Sequence, residues 1–205
     1  MPGPAYRIHT PRLVLRCWQP QDAPPLLEAI AASLDHLRPW MPWAHHEPET
    51  LDAKVQRLRR FRGQFDLDQE YVYAIFTPGE REVVGGTGLH PRVGDGACQI
   101  GYWISARHVG NGYATEAAAA LTRVGFEVNA LERLEIRCDP ANGPSAAIPR
   151  KLGYTHEATL RGRVRDERGQ PRDAMIWTLF ADEYRDSPAA AAQVEAFDAG
   201  GRRVL

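Results

Sequence analysis

Several things are scarce in this sequence of 205 residues, and each scarcity excludes something. Excess charge is almost absent: 25 Lys+Arg stand against 26 Asp+Glu, a net −1 at pH 7, so no global pull toward nucleic acid or an anionic membrane is expected. No stretch approaches the ~18 consecutive apolar residues of a membrane span. The opening "MPGPAYRIHTPR" has no apolar core of the kind a secretory signal carries. The expected location is the cytoplasm. Cysteine is limited to Cys17, Cys98 and Cys138, odd in number and far apart, with neither CxxC spacing nor a histidine cluster nearby. A disulfide framework and a zinc site are both unsupported, and reduced thiols in or near a core are expected. No internal repeat and no low-complexity linker divides the body. With 43% hydrophobic and 25% charged residues, the composition is that of one ordinary globular domain.

What is present reads as alternating elements. "RLVLRCW" (12–18) has strand periodicity between Pro11 and Pro20. Residues 21–37 predict a helix with Asp22 as N-cap and Pro24 in its first turn, and residues 37–49 an irregular loop with Pro39, Pro42, Pro48 and two tryptophans. A helix at about 50–63 follows, then three strand-like runs at 70–76, 82–90 and 97–104. The connectors "TPGER" and "PRVGDG" have hairpin chemistry, which makes the three runs an antiparallel meander. A helix at 113–128 places Ala114, Ala117, Ala118, Leu121, Val124, Gly125 and Val128 on one stripe. A strand at 133–139, a short helix at 143–153 kinked or cut short by Pro149, and a hairpin around "RDERGQP" complete the body. After Tyr184 an Ala-rich tail predicts a short helix or none. The order gives an α+β fold with a mixed sheet, as residues 1–185, followed by a tail at 186–205.

The chemistry concentrates in "RHVGNGYATEA" (107–117), two glycines in a polar turn leading into a helix. A dinucleotide fingerprint needs a third glycine and a parallel βαβ unit, but Thr115 holds that position and a meander precedes it. A P-loop needs Gly-Lys-Ser/Thr, which is absent. Free N–H groups at a helix start, with glycines that let an anion approach, still make a phosphate site. Taken alone, the segment reads equally well as a tight turn that needs positive φ.

It does not stand alone. "QIGYWISARHVGNGYATEA" resembles the acetyl-CoA-binding motif Gln/Arg-x-x-Gly-x-Gly/Ala of the GCN5-related N-acetyltransferases (GNAT), here Arg107 to Gly112. "NGPSAAIPRKLGY" resembles their Asn-x-x-Ser…Lys-Leu-Gly-Phe segment, with Asn142, Ser145, Lys151, Leu152 and Gly153 in register. "LRPWMPW" (37–43) and "DAMIWTL" (173–179) are similar to the RimJ/RimL branch, which acetylates protein N-termini. The resemblance spans residues 10–182 in order. It implies a mostly antiparallel sheet flanked by helices, whose central strands splay to hold acyl-CoA.

By that resemblance the pyrophosphate of acetyl-CoA, the cosubstrate, rests on the amides of His108, Val109, Gly110, Asn111, Gly112, Tyr113 and Ala114, with the Thr115 hydroxyl beside them. Pantetheine bonds backbone near Trp103 and Ile104, a backbone N–H at 102–104 meets the oxyanion, and Asn142 holds the pantetheine arm or caps its helix. Arg107 either aids phosphate binding or caps the strand end, and Arg150 and Lys151 either reach the adenosine phosphates or are solvated charges at a helix end. Ser145 is the general-acid candidate for the leaving thiolate; the alternative is a helix-start hydroxyl. The base is where the sequence departs from the family: Gln99 stands where a glutamate is usual, and the acidic position of some relatives falls near Val164. His90, His45, His46 and Glu47 remain candidates, as does a water relay, because an α-amine has a pKa of only ~8.

Trp40, Trp43, His90 and Gln99 are the expected acceptor-side residues. The hairpin arginines Arg161, Arg163, Arg165, Arg168 and Arg172, interrupted by Asp166, Glu167 and Asp173, suit an acidic protein partner or a plain solvated turn. Three activities follow from the resemblance: acetylation of a protein N-terminal amine, acylation of a small amine (aminoglycoside, polyamine or amino-acid conjugate) with acetyl- or another acyl-CoA, or CoA binding without turnover. No metal, nucleic-acid or membrane partner is expected; a homodimer is open.

Overall fold

The computed structural model describes residues 4–166 and 168–205, so Glu167 lies outside the described residues. In chain order the elements are β1 (Arg7–His9), β2 (Val14–Cys17), α1 (Ala23–Ala31), α2 (Leu34–Leu37), α3 (Leu51–Asp66), β3 (Tyr71–Phe76), β4 (Val83–His90), β5 (Ala97–Ile104), α4 (Tyr113–Glu127), β6 (Arg133–Cys138), α5 (Gly143–Leu152), β7 (Thr155–Arg165), β8 (Pro171–Phe180), α6 (Ala181–Tyr184) and β9 (Glu195–Phe197). The strands form one sheet in the order β7-β8-β6-β5-β4-β3-β2-β1-β9. Each neighbouring pair is antiparallel except β5 and β6, which run parallel.

Period-2 alternation sends successive side chains to opposite faces, and both faces are covered. Val14, Ala74, Phe76 and Val83 pack with Leu26 and Ile30 of α1 and Leu58 of α3. Leu15, Ile75, Leu89, Ile100 and Leu134 pack with the stripe of α4. That stripe is small for a reason: a Cβ on Gly125 would stand 2.9 Å from a methyl of Leu134, so the helix rests directly on the sheet. The meander and the α4 stripe appear as the periodicity predicts. Among the described residues no helix is long and apolar enough to cross a membrane.

The structure alters three local expectations and adds one strand. The helix at 21–37 is two helices, and the Asp22 side chain makes no capping bond to α1. Instead its carboxylate takes two hydrogen bonds from buried Arg16, at 2.7 and 2.8 Å, and one from the Gln19 amide. A buried guanidinium needs a bidentate partner more than a helix needs a cap. Pro149 does not cut α5 short; the helix runs on to Leu152 and ends at Gly153, with φ 86°. The strand β1, only three residues long, had no periodic signal. The tail, finally, is structured. It forms a 3-10 turn at Pro188–Ala191 and then β9, which pairs with β1. Ala189, Val194 and Ala196 are buried in the same core as α4, and the Phe126 and Tyr184 rings stack at 4.8 Å.

Candidate active site

The 107–115 segment is built to leave its amides free. A 3-10 turn at Ala106–His108 leads out of β5, and Gly110 (φ 80°) and Gly112 (φ 78°) both adopt left-handed conformations, Gly112 as N-cap of α4. The Asn111 side chain donates to the carbonyls of His108 and Val109, so carbonyl oxygens are drawn inward. The first backbone bond of the helix is Glu116 N–H to Gly112 O at 3.0 Å. Among the described residues, none of the backbone amides from Val109 to Thr115 donates within the chain. Consecutive free amides at a helix start form an anion nest.

The nest is locked from a distance. Arg12 donates through Nη1 to Asn111 O at 2.9 Å and through Nε to Glu116 at 2.7 Å, while Thr10 donates to the same carboxylate at 2.6 Å. Nothing in the sequence marked these residues, because more than a hundred positions separate them from Glu116 and only the sheet brings them close. Arg107 points elsewhere, to Glu28 at 3.0 Å with both side chains exposed, and Lys151 is exposed at the end of α5.

Beside the nest the sheet opens. β6 pairs with β5 only from Ala97 to Ile100, although β5 continues to Ile104 alongside β4. Ser105 N–H bonds Val84 O at 2.8 Å, and by antiparallel alternation the backbone groups of Tyr102 and Ile104 turn away from β4 into this opening. Trp103 turns the other way: a Cβ on Gly85 would lie 2.1 Å from its carbonyl oxygen, and one on Gly86 would lie 2.6 Å from its indole Nε1. The glycines of "VVGGTG" thus let the Trp103 backbone and ring press onto β4.

A cleft of about 750 Å³ passes this opening. On one side it is lined by Trp40, Trp43, Trp103, His90 and Gln99, and on the other by Tyr102, Asn142 and Ser145. The four expected acceptor-side residues are therefore brought together with the two from α5. Asn142 caps α5, accepting from Ser145 N at 3.1 Å. Ser145 Oγ lies 3.2 Å from the Tyr102 hydroxyl, which also lies 3.3 Å from the Ser145 carbonyl. Burial raises the Tyr102 phenol well above its ordinary pKa, so it is an O–H donor at any physiological pH. Of the candidate bases, Glu47 is committed to buried Lys54 and to the Glu49 amide, whereas His90 lies 2.6 Å from Glu70 through Nδ1. Arg172 roofs the cleft: it donates to Pro39 O at 2.7 Å, pairs with Asp139 at 2.7 Å and sits 4.8 Å from the Trp40 ring centre.

A mixed sheet that opens between parallel strands beside a nest of free amides is the arrangement expected of an acyl-CoA-dependent transferase. The model of the acetyltransferase (GNAT) domain matches residues 12–155, and the chain belongs to that family, as an N-acetyltransferase of the RimJ/RimL-like kind. Over 186 residues it is 26% identical to the [ribosomal protein uS5]-alanine N-acetyltransferase of Escherichia coli (strain K12), covering 88% of this chain and 94% of the relative. The structure of Mycobacterium smegmatis RimJ in complex with CoA-disulfide superposes with a TM-score of 0.79 at 25% identity, covering 92% of each chain. The RimL ribosomal L7/L12 alpha-N-protein acetyltransferase in complex with coenzyme A shares the fold, with a TM-score of 0.76 at 19% identity over 85% of this chain and 97% of that one.

Proposed function

We propose that this enzyme acetylates the α-amine of a protein N-terminus, of the ribosomal-protein type, using acetyl-CoA by direct attack. The observation that carries the cosubstrate is the run of unbonded amides from Val109 to Thr115 beside the β5–β6 opening. The nest suits a pyrophosphate, and the free backbone of Tyr102 and Ile104 suits an amide-bearing arm that lies along a strand. Acetyl-CoA supplies the activated thioester. The chain's own groups do the rest: the nest holds the phosphates, Asn142 faces the arm while capping α5, and a β5 amide meets the developing oxyanion. Ser145, with Tyr102 behind it, gives a proton to the departing sulfur.

The acceptor side supports a peptide over a polycationic small amine. The carboxylates along the cleft are committed: Glu47 to Lys54, Glu70 to His90, Asp139 to Arg172, and Asp173 to the Gly162 amide at 2.9 Å. Asp166 accepts from the amides of Arg168 and Gln170. Arg38, Arg92 and Arg163 also line the cleft and pair with no carboxylate among the described residues, a setting that repels an aminoglycoside or polyamine and suits an acidic chain behind the amine. The uS5-alanine acetyltransferase, similar along most of its length, points the same way.

Thermal unfolding with acetyl-CoA, CoA, NADH and ATP tests the cosubstrate. At 100 times its Kd a ligand adds ~2.7 kcal/mol, a midpoint rise of roughly 5–10 °C for a chain of this size. Mass spectrometry of peptides with free N-termini, set against spermidine and kanamycin, then tests the acceptor. Acetylation of the small amines alone would refute the N-terminal assignment.

A further inference from the structure

Gln99 cannot take a proton, but the structure supplies a group that can, directly across the ladder. Gln99 on β5 pairs with His90 on β4, so the two side chains rise from the same face as neighbours. The amide of Gln99 is turned to Arg92, 3.1 Å away. Resting on the acetyltransferase reading above, we propose that His90 is the general base of the reaction and that Glu70 is the residue that positions it.

Geometry carries the assignment. Glu70 Oε1 lies 2.6 Å from His90 Nδ1, and an ionised carboxylate only accepts. The proton of the neutral ring therefore sits on Nδ1, and the lone pair on Nε2. The hydrogen bond with His90 holds the Glu70 carboxyl below the usual carboxylate range, consistent with an ionised partner. Among the described residues Nε2 makes no hydrogen bond, and His90 lines the cleft. Two glycines make room for the ring: a Cβ on Gly88 would stand 2.9 Å from Nε2, and one on Gly101 would stand 3.1 Å from it. The free lone pair thus lies over Gly101, next to Tyr102, whose backbone faces the β5–β6 opening. His90 stands on the acceptor side and Ser145 on the other, the arrangement that a base for the amine and an acid for the sulfur require.

The protons balance. As the amine nitrogen bonds to the acyl carbon and the C–S bond breaks, one N–H proton passes to His90 Nε2. The sulfur takes a proton from the Ser145–Tyr102 hydroxyl pair. His90 then releases its proton to solvent through the cleft, and the hydroxyl pair regains one from solvent, leaving an amide and a free thiol.

The test uses the full chain with acetyl-CoA and an N-terminal peptide. His90→Gln is expected to lose 10²–10⁴-fold in kcat while keeping the acetyl-CoA-dependent rise in unfolding midpoint. His90→Ala is expected to recover part of that loss when imidazole is added. Glu70→Gln is expected to lower kcat and leave KM unchanged. Nitrogen-15 NMR of the resting wild type is expected to show His90 protonated on Nδ1 and bare on Nε2, and Glu70→Gln to weaken that preference. Wild-type kcat in His90→Gln, or a proton on Nε2 in the resting enzyme, would overturn the assignment. A wild type that binds acetyl-CoA but acetylates no amine would instead overturn the reading on which it rests.

Discussion

The Tyr102 hydroxyl, on β5, lies 3.3 Å from the carbonyl of Ser145, the one α5 carbonyl whose helical donor Pro149 removes. An imino acid four residues on has no N–H to give, and a half-buried phenol fills the vacancy. The same phenol lies 3.2 Å from Ser145 Oγ, so a backbone irregularity in α5 holds in place the hydroxyl pair assigned to the sulfur.

That relationship predicts coupling. Tyr102→Phe leaves the Ser145 carbonyl without a partner and is expected to cost ~1–3 kcal/mol. In a Pro149→Ala background the new N–H at 149 serves the carbonyl, and the same substitution is expected to cost clearly less. Urea unfolding of the four proteins measures the cycle; equal costs in both backgrounds would show that the two sites are independent.

Gly110 and Gly112 predict a separation of folding from ligand binding. A Cβ on Gly110 meets nothing within 4 Å, and one on Gly112 only Arg12 Nη2 at 3.5 Å, so backbone angle and not space excludes a side chain. Gly110→Ala is expected to destabilise by only ~1–2 kcal/mol yet to weaken acetyl-CoA binding at least tenfold, by tilting the nest. Calorimetric titration checks this; unchanged affinity would place the phosphates elsewhere.

Acid should loosen the wall of the acceptor cleft. Arg57 holds the Glu49 carboxyl at about 2, against an ordinary 4.5, with Lys54 adding to it. Because the folded pKa is depressed, the stabilisation is complete above pH 4.5 and is lost as pH falls toward 2. At most ~3 kcal/mol is at stake. Unfolding midpoints of wild type and Glu49→Gln are expected to converge as pH drops through this window. Parallel curves would rule the carboxyl out.

The cysteines should differ in labelling. Burial pushes the Cys17 thiol up to about 12 and Cys98 and Cys138 to about 11, but only Cys138 lines the cleft. Slow alkylation by iodoacetamide at pH 8 is expected at Cys138 first, and saturating CoA is expected to protect it. Peptide mapping by mass spectrometry gives the order.

How much of this was legible depended on distance along the chain. The glycine turn, Asn142 and Ser145 carry local patterns that a sequence displays, and the meander announces itself by alternation. The Thr10–Arg12–Glu116 lock joins residues whose partners sit across the sheet, and no window of sequence contains both. Asp22 looked like a cap because capping is a local rule, whereas its real partner, Arg16, was hidden by burial. His90 and Gln99 were each visible, but their being opposite one another needed the register, and Glu70 drew no notice as a lone surface-type carboxylate. β1 and β9 are too short to show a period; β1 is held between β2 and β9, and β9 by its pairing with β1.

The two margins of the sheet are finished differently. At one, β9 covers β1. At the other, β7 is an eleven-residue, largely exposed strand with Arg161, Arg163 and Arg165 within its last five positions. A bare strand of that length invites copies of the chain to add to it, and clustered like charges are a means by which proteins discourage such stacking. Neutralising those three arginines should therefore be felt first in how concentrated a solution the protein tolerates before it self-associates.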